Sequence, residues 1–143
     1  MSPQTDPRVI LYIDSDEDDH FLFGSLLKTV APDCTLQSFM RAEDALAYLQ
    51  KTEQPPFLIL CEVLLPGMTG LELRRTIYAD EQLRKRSIPF VFVSDPVIQS
   101  VIEEAFELTV QGFFEKSHNR QQQLEDLTLI LNYWQTSFHP NKV

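Results

Sequence analysis

With 143 residues, 43% of them hydrophobic, the chain has the size of one domain and enough apolar side chains for one core, leaving no room for a second folded unit. Its 21 acidic and 12 basic side chains give a formal net charge of −9, a balance that repels nucleic-acid phosphates and anionic membrane faces and argues against both as partners. Cys34 and Cys61 lie in separate apolar stretches outside any C-x-x-C pair, and no apolar run approaches the roughly 18 residues of a membrane span; both are expected as buried thiols of a cytoplasmic protein.

The polar, proline-bearing start over residues 1–7 is predicted to be disordered, the folded domain to span 8–136, and residues 137–143 to form a frayed tail. Strands are predicted at Val9 to Ile13, Thr35 to Phe39, Phe57 to Cys61, Phe90 to Val93 and Gly112 to Phe114. The first, third and fourth are near-continuous apolar runs, the pattern of strands buried on both faces of a parallel sheet. Between and after them apolar residues recur at helical spacing: Phe23, Leu27 and Val30; Ala42, Ala45, Leu46 and Leu49; then Leu71, Leu73, Ile77 and Leu83 in one longer third helix. Ile98, Val101, Ile102 and Ala105 predict a fourth helix, and Leu124, Leu127, Leu131 and Trp134 a fifth. Five βα alternations call for an α/β, flavodoxin-like (βα)5 three-layer sandwich whose parallel five-stranded sheet has the order 2-1-3-4-5.

In open sheets of this kind ligands bind beyond the carboxyl ends of the strands. The first strand is followed by Asp14-Ser15-Asp16-Glu17-Asp18-Asp19, the third by Glu62, the fourth by Ser94 and the fifth by Lys116. Carboxylates suit a hard cation such as Mg²⁺, and a hydroxyl with an ammonium suits phosphoryl oxygens. Asp18 and Asp19 read as the solvated, dipole-stabilised start of a helix. The acidic run is no EF-hand loop, because Asp19 replaces the turn glycine. His20, His118 and His139 show no ligand spacing and are expected at the surface; no nucleophile–base pair is visible, so no enzyme is expected. Gly67 and Gly70 match no phosphate loop. The stretch Tyr78 to Ser87, carrying Arg84, Lys85 and Arg86, reads as either a contact surface or a solvated helix end.

Tyr12-Ile13-Asp14, the Leu65-Pro66-Gly67-Met68-Thr69-Gly70 loop after Glu62, Val93-Ser94 and Gly112-Phe113-Phe114-Glu115-Lys116 together resemble the receiver domain of bacterial two-component response regulators, over about Arg8 to Trp134. The resemblance implies a phosphoacceptor at position 62, a switch hydroxyl at Ser94, a site lysine at Lys116 and a switch aromatic at Phe113. It also implies an Mg²⁺ site made by Asp14, Glu62 and the backbone carbonyl of Leu64, with Ser15 or Asp16 as a further donor. Three positions depart from the family pattern: Ser15 stands where a second acid is expected, Glu62 where the phosphoacceptor aspartate belongs, and Ser117 where a proline follows the lysine. Glutamate carries its carboxylate about 1.5 Å farther forward than aspartate, a misplacement in-line transfer tolerates poorly. It reaches instead toward Lys116 and Ser94, as a built-in partial phosphate mimic.

The expected function is therefore that of a stand-alone, degenerate receiver with weak Mg²⁺ binding, acting through phosphorylation-independent contacts with a histidine kinase or another regulator. A homodimer through the fourth-helix, fifth-strand and fifth-helix face is a further expectation. The alternative is a phosphoaccepting regulator with weak Mg²⁺-dependent activity, through Glu62 or Asp16; a small flavodoxin-like enzyme or cofactor carrier is disfavoured by the absence of a Ser/Thr-rich phosphate loop after the first strand.

Overall fold

A computed structural model describes residues 8–141; the expected disordered start at 1–7 and the last two positions lie outside the described residues. The order is β1 (Val9–Ile13), α1 (Glu17–Val30), β2 (Thr35–Phe39), α2 (Ala42–Lys51), β3 (Leu58–Cys61), α3 (Gly70–Ala79), α4 (Glu81–Arg86), β4 (Phe90–Ser94), α5 (Gln99–Glu107), β5 (Gly112–Glu115) and α6 (Arg120–Thr136). All strand pairs are parallel, in the order β2-β1-β3-β4-β5.

The period of two along a strand divides the central strands' side chains between two cores. Leu11, Ile13, Ile59, Cys61, Phe90 and Phe92 face the layer that contains Ala42 and Ala45 of α2, Leu73 and Ile77 of α3 and Ala105 of α5. Ile10, Tyr12, Leu58, Leu60 and Val91 face α1 and α6 through Phe23, Leu26, Leu27, Leu127, Ile130 and Leu131. Burying such a leucine stabilises the fold by about 1.5–3 kcal/mol. The edge strands β2 and β5 are only partly buried, so their patterns are the weaker ones in the sequence.

The expected long third helix is two helices. Asp80 leaves helical geometry at φ −86° and ψ 115°, ends α3 with its backbone N–H and caps α4 through its side chain, which accepts from the Leu83 N–H. An aspartate can close one helix and open the next because its carboxylate satisfies an orphan N–H, and the basic stretch 84–86 thereby forms the last turn of a short helix. Ile98 does not extend the buried face of the next helix: it is the N-cap residue of α5 and 70% exposed. Cys34 is half-buried, not buried, while Cys61 is buried.

The tail also departs from expectation. His139 is 7% exposed, stacks on Phe57 with ring centroids 4.5 Å apart, and its Nε2 donates to the Phe57 carbonyl at 2.6 Å while its Nδ1 accepts the Asn141 N–H at 3.0 Å. Asn141 Nδ2 donates to the Arg86 carbonyl at 2.7 Å. Residues 137–141 thus close over the amino-terminal edge of the sheet, and His139 is a core residue.

Candidate functional site

Register brings the site together. Ile13 pairs with Cys61 and the Glu62 N–H donates to the Ile13 carbonyl at 2.9 Å, so Asp14 and Glu62 leave neighbouring strands side by side. Ser94 ends β4, and the Lys116 N–H extends the next ladder by donating to the Ser94 carbonyl at 2.8 Å. Asp14 and Glu62 are each 2% exposed and Ser94 is fully buried. Gly70 makes the arrangement fit: any Cβ there would strike the Glu62 carbonyl and the Phe92 ring, so the turn after β3 closes against Glu62 only with glycine.

Lys116 Nζ lies 2.7 Å from Asp14 Oδ2, 2.7 Å from Glu62 Oε1 and 2.8 Å from Asp19 Oδ2. Glu62 fills its remaining capacity with other donors: Oε1 also accepts the Asp95 N–H at 3.1 Å, and Oε2 accepts the Leu64 N–H at 2.9 Å together with the Ser94 hydroxyl. Asp14 accepts from Tyr12 Oη at 3.0 Å and from the Asp16 N–H at 3.1 Å. Three carboxylates against one ammonium leave an excess of negative charge in a dry place, which only charge-assisted bonds of this kind make tolerable.

The titration behaviour follows from that balance. Burial raises the carboxyl pKa of Asp14 above the ordinary range despite Lys116. For Glu62 burial acts in the same sense, but the bonds from Lys116, Ser94, Leu64 and Asp95 outweigh it and hold the carboxyl below its usual value. Burial likewise disfavours the charged lysine, yet its three carboxylate partners raise the Lys116 pKa well above normal. Tyr12, buried and beside Asp14, is pushed up and stays a neutral donor.

Asp14, Glu62, Ser94 and Lys116 therefore meet as the sequence suggested. Other expectations are corrected. Asp16 does not turn inward: its carboxylate caps α1 by accepting from the Asp18 and Asp19 N–H groups. Ser15 is exposed. At Leu64 the N–H donates to Glu62 Oε2 at 2.9 Å. Asp19, expected in solvent, is a Lys116 partner; it shares a helix stripe with Phe23 and Leu26, four and seven residues on, and that spacing was the available signal. His20, expected at the surface, is half-buried, donating through Nε2 to the Asp14 carbonyl at 2.6 Å and meeting Tyr12 edge-on at 5.1 Å. Tyr12, two residues before Asp14 on the same side of the strand, was overlooked. His118 is exposed as expected, and Phe113 is half-buried against Phe92, centroids 5.4 Å apart.

Mg²⁺ is the cation that receiver sites hold, and the donors here do not fit it as arranged. Every carboxylate oxygen of Asp14 and Glu62 is engaged by protein hydrogen-bond donors, and an ammonium stands between the two groups. Asp16 is committed to the helix end, and among the described residues no three His, Cys, Asp or Glu side chains are grouped to hold a metal ion.

Fold and cluster define an α/β signalling domain with a carboxylate–hydroxyl–ammonium site at the carboxyl edge of its sheet. The chain belongs to the response regulator receiver domain family of two-component signalling, whose model matches residues 10–128. It is 26% identical over 100 residues to chemotaxis protein CheY-3 of Vibrio cholerae, spanning 69% of this chain and 75% of that protein. It is 27% identical over 105 residues to CheY of Pseudomonas aeruginosa, spanning 73% and 83%. Among solved structures, the Mn(2+)-bound form of response regulator Rcp1 matches with TM-score 0.82 at 27% identity over 94% of this chain and 99% of that one. The phosphorylated cyanobacterial phytochrome response regulator RcpA matches with TM-score 0.85 at 24% identity, again over 94% and 99%. Receiver domains are signalling modules that meet histidine kinases and other regulators. Among the described residues no helix is long and apolar enough to cross a membrane.

Proposed function

We propose that this chain is a degenerate receiver of the cytoplasm, its receiver unit spanning residues 8–136, held in one signalling state by Glu62 and acting through phosphorylation-independent protein binding. The observation that carries this reading is the set of partners around the Glu62 carboxylate: Lys116 at 2.7 Å, the Ser94 hydroxyl and the N–H groups of Leu64 and Asp95. A hydroxyl, an ammonium and backbone donors are what phosphoryl oxygens take up, so the glutamate satisfies permanently what phosphorylation would satisfy transiently. Mg²⁺ enters only by displacing Lys116, hence weakly.

The partner is a histidine kinase or another regulator rather than nucleic acid or membrane, in keeping with the charge of −9. The face made by α5, β5 and α6, with Phe113 half-buried beneath it, is where a partner or a second copy docks. This is the surface named from sequence by its fourth and fifth helices.

The second reading, a phosphoaccepting regulator with weak Mg²⁺-dependent activity, is favoured by the retention of Asp14, Ser94 and Lys116 in one cluster. Intact-protein mass after incubation with Mg²⁺ and a small phosphodonor separates the two. The first reading expects no added phosphoryl mass on the wild type and a gain in Glu62→Asp; a gain on the wild type that Asp14→Ala abolishes overturns it.

A further inference from the structure

At the amino-terminal edge of the sheet, opposite the Glu62 cluster, lies a cavity of about 290 Å³ between α3, α4, the α5–β5 turn and the returning tail. Arg74 and Arg84 line it, and no Asp or Glu does. In a chain with nearly twice as many acids as bases, that exclusion sets the cavity apart.

Arg74 is 8% exposed and forms no ion pair among the described residues, whereas Arg41 and Arg75 pair with Glu43 and Glu104. Its Nε donates to the Leu108 carbonyl at 2.9 Å and one Nη to the carbonyl and hydroxyl of Thr109, at 3.2 and 3.0 Å. The other Nη has no hydrogen-bond partner among the described residues. Arg84 donates to the Tyr78 carbonyl at 2.9 Å, and both guanidinium carbons stand 5.9 Å from the centre of the Tyr78 ring. Two cations gathered on one ring without a carboxylate between them repel each other, and a buried cation without a counter-charge is costly.

Neutral polar side chains complete that side. Ser87, Thr109 and Gln111 line the same cavity, and Ser87 and Thr109, at φ 53° and 61°, are the non-glycine residues with positive φ among those described. The lining also has an apolar part, with Ile77, Leu83, Trp134 and Pro140.

We propose that this cavity binds a small organic oxyanion, a carboxylate or phosphate carried on a single apolar ring, with the head group on the Arg74 and Arg84 guanidiniums and the ring against Leu83 and Trp134. Guanidinium forks recognise carboxylate and phosphate oxygens in this way, and the volume lies at the small end of ligand sites. Because Arg74 also holds the carbonyls of Leu108 and Thr109, an occupant acts on the end of α5 and hence on the face beside β5. The proposal rests on this cavity and not on the state of Glu62.

The chain's single tryptophan, Trp134, lines the cavity and reports on it directly. Phenyl phosphate and benzoate are titrated into the full chain at low salt while Trp134 fluorescence is followed, with benzylamine as the charge-reversed ring. At least one of the two anions is expected to give a saturable change with Kd below about 1 mM, and benzylamine none. Arg84→Ala, at an exposed position, should weaken the response roughly tenfold, as for a lost charge-assisted bond, while Arg75→Ala, on the helix of Arg74 but outside the cavity lining, leaves it unchanged. No saturable change with either anion, an equal response to benzylamine, or an unaltered affinity in Arg84→Ala overturns the proposal.

Discussion

The Lys116 ammonium and the Glu62 carboxylate meet at 2.7 Å, although they leave β5 and β3, with β4 between them. The same ammonium reaches Asp14 from β1 and Asp19 from α1. One positive charge from β5 therefore ties together three elements whose acids would otherwise repel one another. Several measurable properties depend on it.

Removing that charge should destabilise the fold. Lys116→Met leaves two buried carboxylates without their counter-ion, and breaking such a pair costs about 3–5 kcal/mol. Urea denaturation of Lys116→Met should show a loss of that size, and the double variant Lys116→Met with Glu62→Gln should recover part of it. Equal stability of wild type and Lys116→Met would place the ammonium in solvent.

The same substitution should open the site to metal. In the wild type the ammonium holds the carboxylates that a divalent ion would need, so millimolar MgCl2 should leave the thermal midpoint unchanged. In Lys116→Met the carboxylates of Asp14, Glu62 and Asp19 are released from the ammonium and free to regroup, and the midpoint should rise with added MgCl2 by mass action. Wild-type stabilisation by Mg²⁺ as large as the variant's would contradict the donor geometry described above.

Acid should weaken the protein through Glu62. Its folded-state pKa is depressed, so its contribution is complete above the ordinary carboxylate pKa of about 4.3 and is lost as the pH falls through the folded value. Asp14, with a raised pKa, acts in the opposite sense: its contribution is present at low pH and is lost as the pH rises through the folded value. Denaturation from pH 7 down to pH 3 should therefore show a shallower acid loss in Glu62→Gln than in the wild type, and a steeper one in Asp14→Asn.

Gly70→Ala tests how closely the turn after β3 packs. A methyl group there would overlap the Glu62 carbonyl and the Phe92 ring, and forced overpacking costs about 1–3 kcal/mol. The displaced Glu62 should also lose its bond to Ser94, visible as a changed amide environment at Asp95 by NMR.

The tail should contribute measurably to stability. His139→Ala removes the bond to the Phe57 carbonyl and the stacking on its ring, which together amount to about 1–3 kcal/mol. A frayed tail would make the same substitution silent.

Those residues also mark where sequence reading stops. The apolar runs of β1, β3 and β4 expose the sheet directly, because strands buried on both faces leave no polar alternation, and the residue after each run points to Asp14, Glu62 and Ser94, with Lys116 just beyond β5. Asp80 was hidden, since its effect lies in a cap that ends one helix and starts the next. His139 was hidden for a different reason: its partner is the Phe57 carbonyl, 82 residues away in sequence, and no local pattern announces a long-range backbone acceptor. Asp19 lay between these cases. Its helix stripe with Phe23 was readable, but a charge run is more often a solvated face. Arg74 carries no signal in the sequence, because its burial without an acid is a property of the packed chain.

The bond between Asp19 and Lys116 spans 97 residues of sequence, and that span bears on how the molecule assembles. Contacts of such separation form only after the intervening loops have closed. Until β5 docks, the acids at 14, 19 and 62 converge without their ammonium, and their mutual repulsion opposes every partly built sheet. Only the complete sheet carries the ammonium, so a chain interrupted before Lys116 gathers these acids and lacks the charge that reconciles them.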